Sequence, residues 1–547
     1  MVGPMARDGA GGLLDLDAGG SAGSTRIEQF SGWALDRGLV GLLALIALGQ
    51  LGSWIPHYLT WPYWADHDVF ANVARAWTRG ELPYRDSRLN NFPGTVYLFY
   101  GLGRAAGWGR PVALRAFDAA LVMVLGLTLV AWSRRTSGRA LPGLIAYLAY
   151  LSYHLGLDYA HAAQRDWHSP CFAVLALLVV QGWPGRGGGW ISALLGAVAV
   201  SIRPQAVLFL PALVVSVAGM GGGGPAGAAR RVIGWGLALV GSVILAFLPL
   251  LLAGVFGDFL ESLRLVRYGS AYNKGGPASI AKGWLIQASA WKWWVVPAAI
   301  GLIGPRSGPG DGRRVVGRAW ILALAGVSLY KPASPVAHTY LDIPLILAWS
   351  INLAVLADRI LGADRVAASF RLAAVLGLLG LGSTTLRPEF CIVGPNLRAW
   401  SVLRSGALPV EAPPGYRKGS VGSSAYYPWK DYRAALLYLK EHTGPTTRVA
   451  NCLLGDPAVV SMVDRPSAFP AEAITWLRIG RSSDERDFAE RLESADDSVA
   501  LWIPGEVGMD PQFRIDLLTC AIRRLYRFEA RFGRIEVWRR RDEPPAP

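Results

Sequence analysis

Charge is what this chain has least of. Asp, Glu, Lys and Arg make up only 17% of its 547 residues, against about 25% in an average soluble domain. A surface so poor in charge is one that lipid covers. The missing charges are missing in blocks, since none of these four residue types occurs between Arg37 and Asp66 or from Val232 to Gly257. A bilayer-crossing helix needs about 20 mostly apolar residues, and blocks of this kind supply them. The N-terminus lacks both a short basic leader and a small-residue cleavage site, so the first apolar block reads as an uncleaved anchor rather than a signal peptide. The first 30 residues, rich in Gly, Ala and Ser with both charge signs, read as disordered. Cysteine is scarce: of four, Cys171 lies in an apolar block and Cys391, Cys452 and Cys520 lie near the C-terminus. In an oxidising compartment Cys452–Cys520 is one of three pairings, and spacing does not choose among them. The C-terminal region also has no Walker loop, dinucleotide fingerprint, zinc-ligand spacing or nucleophile elbow.

What is present organises the chain. The 22 Trp and 19 Tyr suit the headgroup depth of a bilayer, where a ring with one polar edge is at home. The net charge of +15 does not point to nucleic acid, because the cations sit in short loops between apolar blocks and form no compact basic domain. Spans are expected near 38–60, 111–133, 140–157, 166–183, 188–202, 204–220, 232–255, 293–305, 319–336, 340–357 and 370–386, about eleven in all. With the N-terminus inside, the loops holding Arg134, Arg135 and Arg139, then Arg186, Arg230 and Arg231, then Arg306, Arg313, Arg314 and Arg318, then Arg359, Arg365 and Arg371 all fall on the cytoplasmic side. Arg203-Pro204 interrupts the apolar region between two spans, as where half-helices meet at membrane depth.

The division that follows is a disordered cytoplasmic N-terminus (1–37), a transmembrane domain (38–386) whose first outer loop covers 61–110, and an extracytoplasmic α/β domain (387–547). The protein is thus read as multi-pass in the plasma (inner) membrane. In the first loop Val69, Phe70, Val73, Ala76 and Trp77 recur at helical spacing up to Gly80, which predicts an interfacial helix; Thr95 to Ala106 predicts a second. In the tail, helices are expected over 431–441 and 513–525, strands over 448–454 and 498–503, and a hairpin over 526–539 turning at Phe532-Gly533.

The densest polar constellation follows the first span: Asp66-His67-Asp68, then Leu82-Pro83-Tyr84-Arg85-Asp86, then Asn90-Asn91-Phe92-Pro93-Gly94. An acidic pair where a membrane helix emerges can act as a general base on a hydroxyl or hold a divalent cation such as Mg or Mn. The alternative is that these carboxylates cap the helix. Cations able to stabilise a phosphate leaving group are Arg85, Arg165, Arg203, Arg267, Lys274 and Lys331. Arg203, alone in a long charge-poor stretch, needs a cavity or a partner. His161 reads as a hydrogen-bonded interfacial residue.

These motifs resemble the first outer loop of GT-C membrane glycosyltransferases, in the branch that includes protein O-mannosyltransferase-like, aminoarabinose transferase-like and lipopolysaccharide-core transferase-like enzymes. Ala163-Gln164-Arg165-Asp166, Ile202-Arg203-Pro204-Gln205 and Ala337-His338-Thr339-Tyr340 extend the resemblance over residues 38–390. It implies a polytopic α-helical GT-C-like fold and transfer of a sugar from a polyprenyl-phosphate donor to an outer-face glycan, lipid or protein acceptor. It implies Asp66 as the acidic residue beside the acceptor and Asp166 as the second acid, with Asp68, Tyr84, Arg85, Asp86, Arg165, Arg203, Lys331, His338 and Tyr340 around the substrates. No cofactor is firmly implied. The rival readings are a lipid-linked-sugar flippase and a non-catalytic envelope scaffold. An enzyme should gather its acids and cations on the outer face, whereas a flippase should carry charge along a path to the cytoplasm.

Overall fold

The computed structural model describes residues 22–87, 89, 91–219, 224–272, 311–330, 339–361, 393–416, 427–453, 457–469, 482–503 and 516–542. The first element, α1 (Ala22–Leu59), is a single 38-residue helix. Its apolar part, Arg37–Leu59, is long enough to cross a bilayer. It therefore starts well inside the stretch expected to be disordered. Two 14-residue helices follow, α2 (Ala65–Thr78) and α3 (Pro93–Ala106). At 1.5 Å per residue each spans about 21 Å, short of a straight crossing. Pro93 opens α3 at a position where its missing N–H leaves no bond unmade. Gly80, at a φ of 91°, ends the turn after α2 in the left-handed half of backbone space.

The bundle continues with α4 (Pro111–Ser137), α5 (Leu141–Leu155), α6 (Arg165–Gly182), α7 (Arg186–Ile202), a 3-10 turn (Pro204–Phe209), α8 (Leu210–Gly219), α9 (Gly224–Leu252) and α10 (Phe256–Tyr272). After the undescribed stretch come α11 (Asp311–Ser328), a short 3-10 turn (Thr339–Asp342) and α12 (Ile343–Leu361). Among the described residues four helices are long and apolar enough to cross a membrane: Arg37–Leu59, Pro111–Ser137, Gly224–Leu252 and Tyr340–Leu361. Shorter apolar helices accompany them at Arg186–Ile202, Pro204–Gly219 and Val315–Ser328. The expected spans at 293–305 and 370–386 lie outside the described residues.

Burial separates the helices by role. Nearly every residue of α5 is buried, and it packs between α4 and α12. By contrast Leu237, Leu245 and Leu252 of α9 are exposed, as suits a helix that faces lipid. α6 packs along α7, α7 along α9, and α8 along α11. Because these neighbours are joined by short connections, their ends alternate, and Arg134, Arg139, Arg186, Arg230 and Arg231 collect at the end of the bundle opposite α2 and α3.

The C-terminal unit starts with α13 (Val393–Ser405), which packs on α1. It continues as α14 (Trp429–His442), β1 (Arg448–Asn451), α15 (Val460–Val463), α16 (Ser482–Glu493), β2 (Ser498–Trp502), α17 (Asp516–Leu525), β3 (Tyr526–Phe532) and β4 (Ile535–Arg540). The strands form one sheet in the order β1-β2-β4-β3, with β1 parallel to β2 and the other pairs antiparallel. The hairpin turns where expected, with Gly533 at a φ of 58° and packed against Asp431. Cys452 is buried, Cys520 is exposed, and both are free thiols, so the disulfide between them is not formed.

Candidate functional site

The site begins where the chain breaks between α7 and α8. Arg203 has an extended backbone, with φ −152° and ψ 123°, because the residue before a proline is pushed out of the helical region. The break aims its side chain across to α6. There Arg203 Nη1 lies 2.8 Å from Asp166 Oδ2, and the Tyr330 hydroxyl donates to Asp166 Oδ1 at 3.1 Å. The Arg203 guanidinium lies 5.7 Å from the centre of the Tyr330 ring. Ser169 Oγ donates to the Ala199 carbonyl at 2.9 Å and fastens α6 to the last turn of α7. Arg203 Nε is buried and donates to no acceptor among the described residues.

Arg165, one residue before Asp166, has Nε 4.0 Å from Asp166 Oδ2. Its Nη1 donates to Asn91 Oδ1, and its guanidinium covers the Phe70 ring at 5.4 Å. Asp66 enters from the first turn of α2 and is half-buried. It lies within electrostatic range of Arg203, as do Asp166, Tyr330 and Tyr340. Asp66 and Asp166 likewise act on Tyr340. Asp66 has no hydrogen bond or ion pair among the described residues, and it does not cap α2. That task falls to His67, whose Nδ1 accepts the Trp64 N–H at 3.1 Å. Burial holds His67 well below the usual imidazole range, with the Arg115 guanidinium adding to the effect, so it accepts as a neutral ring.

The remaining expected residues divide. Asp68 turns away from Asp66: it is buried, and its Oδ1 accepts the Ser461 N–H at 2.7 Å while Ser461 Oγ donates to its carbonyl at 3.1 Å. It caps the short α15 of the C-terminal unit instead of facing the site. Burial raises its carboxyl to about 6 against the opposing hydrogen bonds from Ser461. Tyr84, at a φ of 71°, is buried and donates to the Asn91 carbonyl at 2.7 Å. Asp86 closes its own turn by accepting the Leu82 N–H at 2.6 Å. Arg85 donates to Asp258 Oδ2 at 3.1 Å and to the Gly254 carbonyl at 2.7 Å, so it binds the loop to the start of α10. His161 pairs with Asp158 at 2.7 Å. Lys274, Lys331 and His338 lie outside the described residues.

Two things were not singled out from the sequence. One is the partnership of Tyr330 and Asn91 with Asp166 and Arg165. The other is a second polar cluster deeper in the bundle, in which Asp118 accepts from the Tyr58 hydroxyl at 2.6 Å and lies 2.8 Å from His168 Nε2 and 3.4 Å from His154 Nε2. Arg115 is fully buried beside it and donates to the Pro62 and Ala162 carbonyls at 2.8 and 3.2 Å. Ionisable groups inside an apolar block are a legible signal, and Arg115 and Asp118 stand in one.

The donor set does not suit a divalent cation. Both oxygens of Asp166 are engaged by Arg203 and Tyr330, which leaves Asp66 as the one carboxylate to offer, within electrostatic range of the Arg203 guanidinium. Among the described residues no three of His, Cys, Asp and Glu gather as metal ligands.

No family model matches the chain, and no curated protein is similar to it in sequence. A solved structure is similar in fold. It is that of ArnT from Cupriavidus metallidurans bound to undecaprenyl phosphate, with a TM-score of 0.56 over 92% of this chain and 98% of that one, at 14% identity. The two chains share a fold. The protein is therefore a polytopic helical membrane protein with a fold like that of the ArnT structure.

Proposed function

We propose that the protein is a GT-C membrane glycosyltransferase that moves a sugar from a polyprenyl-phosphate-linked donor to a glycolipid, polysaccharide or protein acceptor on the outer face of the inner membrane. One observation carries the reading. Asp66, a carboxylate with no hydrogen bond or ion pair among the described residues, lies within electrostatic range of the Arg203 guanidinium, which Asp166 holds at 2.8 Å and whose buried Nε donates to no described acceptor. In the transfer, the acceptor hydroxyl gives its proton to Asp66 as its oxygen bonds to the anomeric carbon. The bond from that carbon to the phosphate oxygen breaks, and its electron pair stays on the lipid phosphate. Arg203, with Arg165 beside it, stabilises the charge that develops there, a role a planar and always ionised fork fills well.

Asp166 takes a different part from the one the resemblance implies. With both oxygens engaged it holds Arg203 in place and is a positioning residue. That the ArnT structure contains undecaprenyl phosphate supports a polyprenyl carrier as donor. The flippase reading is less well supported, because the unpartnered acid and its cations gather at one end of the bundle, with no charged path to the other end among the described residues. The test is to reconstitute the purified protein with polyprenyl-phosphate sugars and candidate acceptors. Mass spectrometry of envelope glycans and lipids, with and without the protein, would identify the acceptor. Bilayer crossing of the intact donor without sugar release would favour the flippase and overturn the proposal.

A further inference from the structure

At the opposite end of the bundle a cavity of about 520 Å³ opens between α7, α8 and α9. Its lining is mostly apolar, yet Arg186, Arg230 and Arg231 stand at it together with Trp190 and Trp235. α7 runs from Arg186 to Ile202, so about 25 Å separates this cavity from Arg203 at 1.5 Å per residue. Neither Asp nor Glu occurs in the sequence from Trp167 to Gly257. Arg231 is held in place by the carbonyls of Val217 and Ala218, the latter at 2.7 Å, at the end of α8. Arg186 and Arg230 are exposed and form no ion pair with a described carboxylate. Arg135 extends the basic rim, lying 4.7 Å from the Trp183 ring.

We infer that this cavity seats the headgroup of an anionic, two-chain phospholipid. Guanidinium forks bind phosphate by paired hydrogen bonds, and basic pockets between membrane helices on the cytoplasmic side accept anionic headgroups. The surfaces beside the cavity suit two acyl chains. Ile191 and Leu194 on α7 and Ile233 and Leu237 on α9 are all more than half exposed, so each of these two helices bordering the cavity carries an apolar track. Trp190, 65% exposed at the rim, stands where an indole favours the headgroup boundary. A single-chain polyprenyl phosphate would use one track and leave the other to bulk lipid.

Native mass spectrometry of the purified protein, titrated with phosphatidylglycerol, phosphatidylcholine, polyprenyl phosphate and inorganic phosphate, tests the assignment. Phosphatidylglycerol should be retained and the other three should not displace it. At about fivefold per cation near the headgroup, Arg186→Gln with Arg230→Gln should weaken retention about thirtyfold. Arg134→Gln with Arg139→Gln removes the same charge from the same face and should leave retention unchanged. Gly234→Leu keeps every cation and has open space at its Cβ, so it should fold, intrude on the cavity and also weaken retention, even if the arginine variant folds poorly. Equal retention of phosphatidylcholine, displacement by polyprenyl phosphate or inorganic phosphate, equal loss in the control variant, or full retention by Gly234→Leu would each overturn the inference.

Discussion

Asp118 and Asp166 are both carboxylates buried to within 1% exposure, each set in an apolar bundle and each gripped by two or more donors. What surrounds them differs. Around Asp118 the side chains turn inward on one another: Tyr58 and His168 hydrogen-bond to the carboxylate, His154 Nε2 faces it at 3.4 Å without a hydrogen bond, and Arg115 spends its donors on the Pro62 and Ala162 carbonyls. Around Asp166 the network stays open, because Arg203 keeps an N–H without an acceptor and Asp66 nearby has no partner among the described residues. An inward-turned network of this kind ties helices α1, α4, α5 and α6 together. An open one has capacity left for a substrate. Burial and charge alone do not separate an anchor from a site; unspent hydrogen-bonding capacity does.

The comparison breaks most sharply at Asp66. Asp66→Asn should insert normally and lose transfer by about 10²–10⁴-fold, the usual worth of a general base. Turnover in reconstituted vesicles beside a thermal unfolding curve checks this, and near-parental turnover would move the base elsewhere.

Arg203→Gln should lower transfer by about 10²–10³-fold, as removal of one charge-stabilising donor does. It should also destabilise the fold, since Asp166 is left buried without its counter-ion. Asp166→Asn combined with Arg203→Gln should recover stability without recovering turnover. A double variant that stays as unstable as the single one would show that the pair does not act as a unit.

Asp118→Asn should do the reverse. Breaking a buried, satisfied pair costs about 3–5 kcal/mol, so the yield of folded protein should fall, while turnover per folded molecule should move far less than in Asp66→Asn. A well-folded and inactive Asp118 variant would place that cluster in the reaction.

The smallest effect concerns Asp68. Its carboxyl stands at about 6 in the folded protein, above its ordinary 3.8, chiefly because it is buried. The folded state therefore holds this proton more tightly than the unfolded state does. Stability from Asp68 is fully present below pH 4 and is lost as pH rises through about 6. Protease cleavage of the C-terminal unit should become modestly faster between pH 5 and pH 7, and Asp68→Asn should flatten that dependence.

Much of this architecture was legible in the sequence because local chemistry decided it. Gly80 and Gly533 stop a helix and turn a hairpin, and alternation around Phe532-Gly533 fixes β3 and β4. Over 22–37 Gly, Ala and Ser suggest disorder, whereas α1 runs from Ala22. A helix already nucleated by an apolar span extends through such residues without forming a new nucleus. Of the site, the resemblance brought Asp66, Asp166, Arg165, Arg203 and Tyr340 to one place. It did not distinguish them from Asp68, Arg85 and Asp86, whose partners Ser461, Asp258 and Leu82 are set by tertiary contacts or by a turn closing on itself. Tyr330 was missed because a tyrosine at a helix end reads as an interfacial ring, and nothing local says that its hydroxyl meets a carboxylate.

Gly94 decides something that no charge decides. A methyl group there would come within 2.6 Å of the carbonyl carbon and Oγ of Ser201 and 2.7 Å of the Ile202 nitrogen. The start of α3 thus rests directly on the backbone that delivers Arg203. The residue acts as a gauge block, setting how far the segment bearing Asp66 stands from the helix end bearing Arg203, and even alanine at this position would reset the gap.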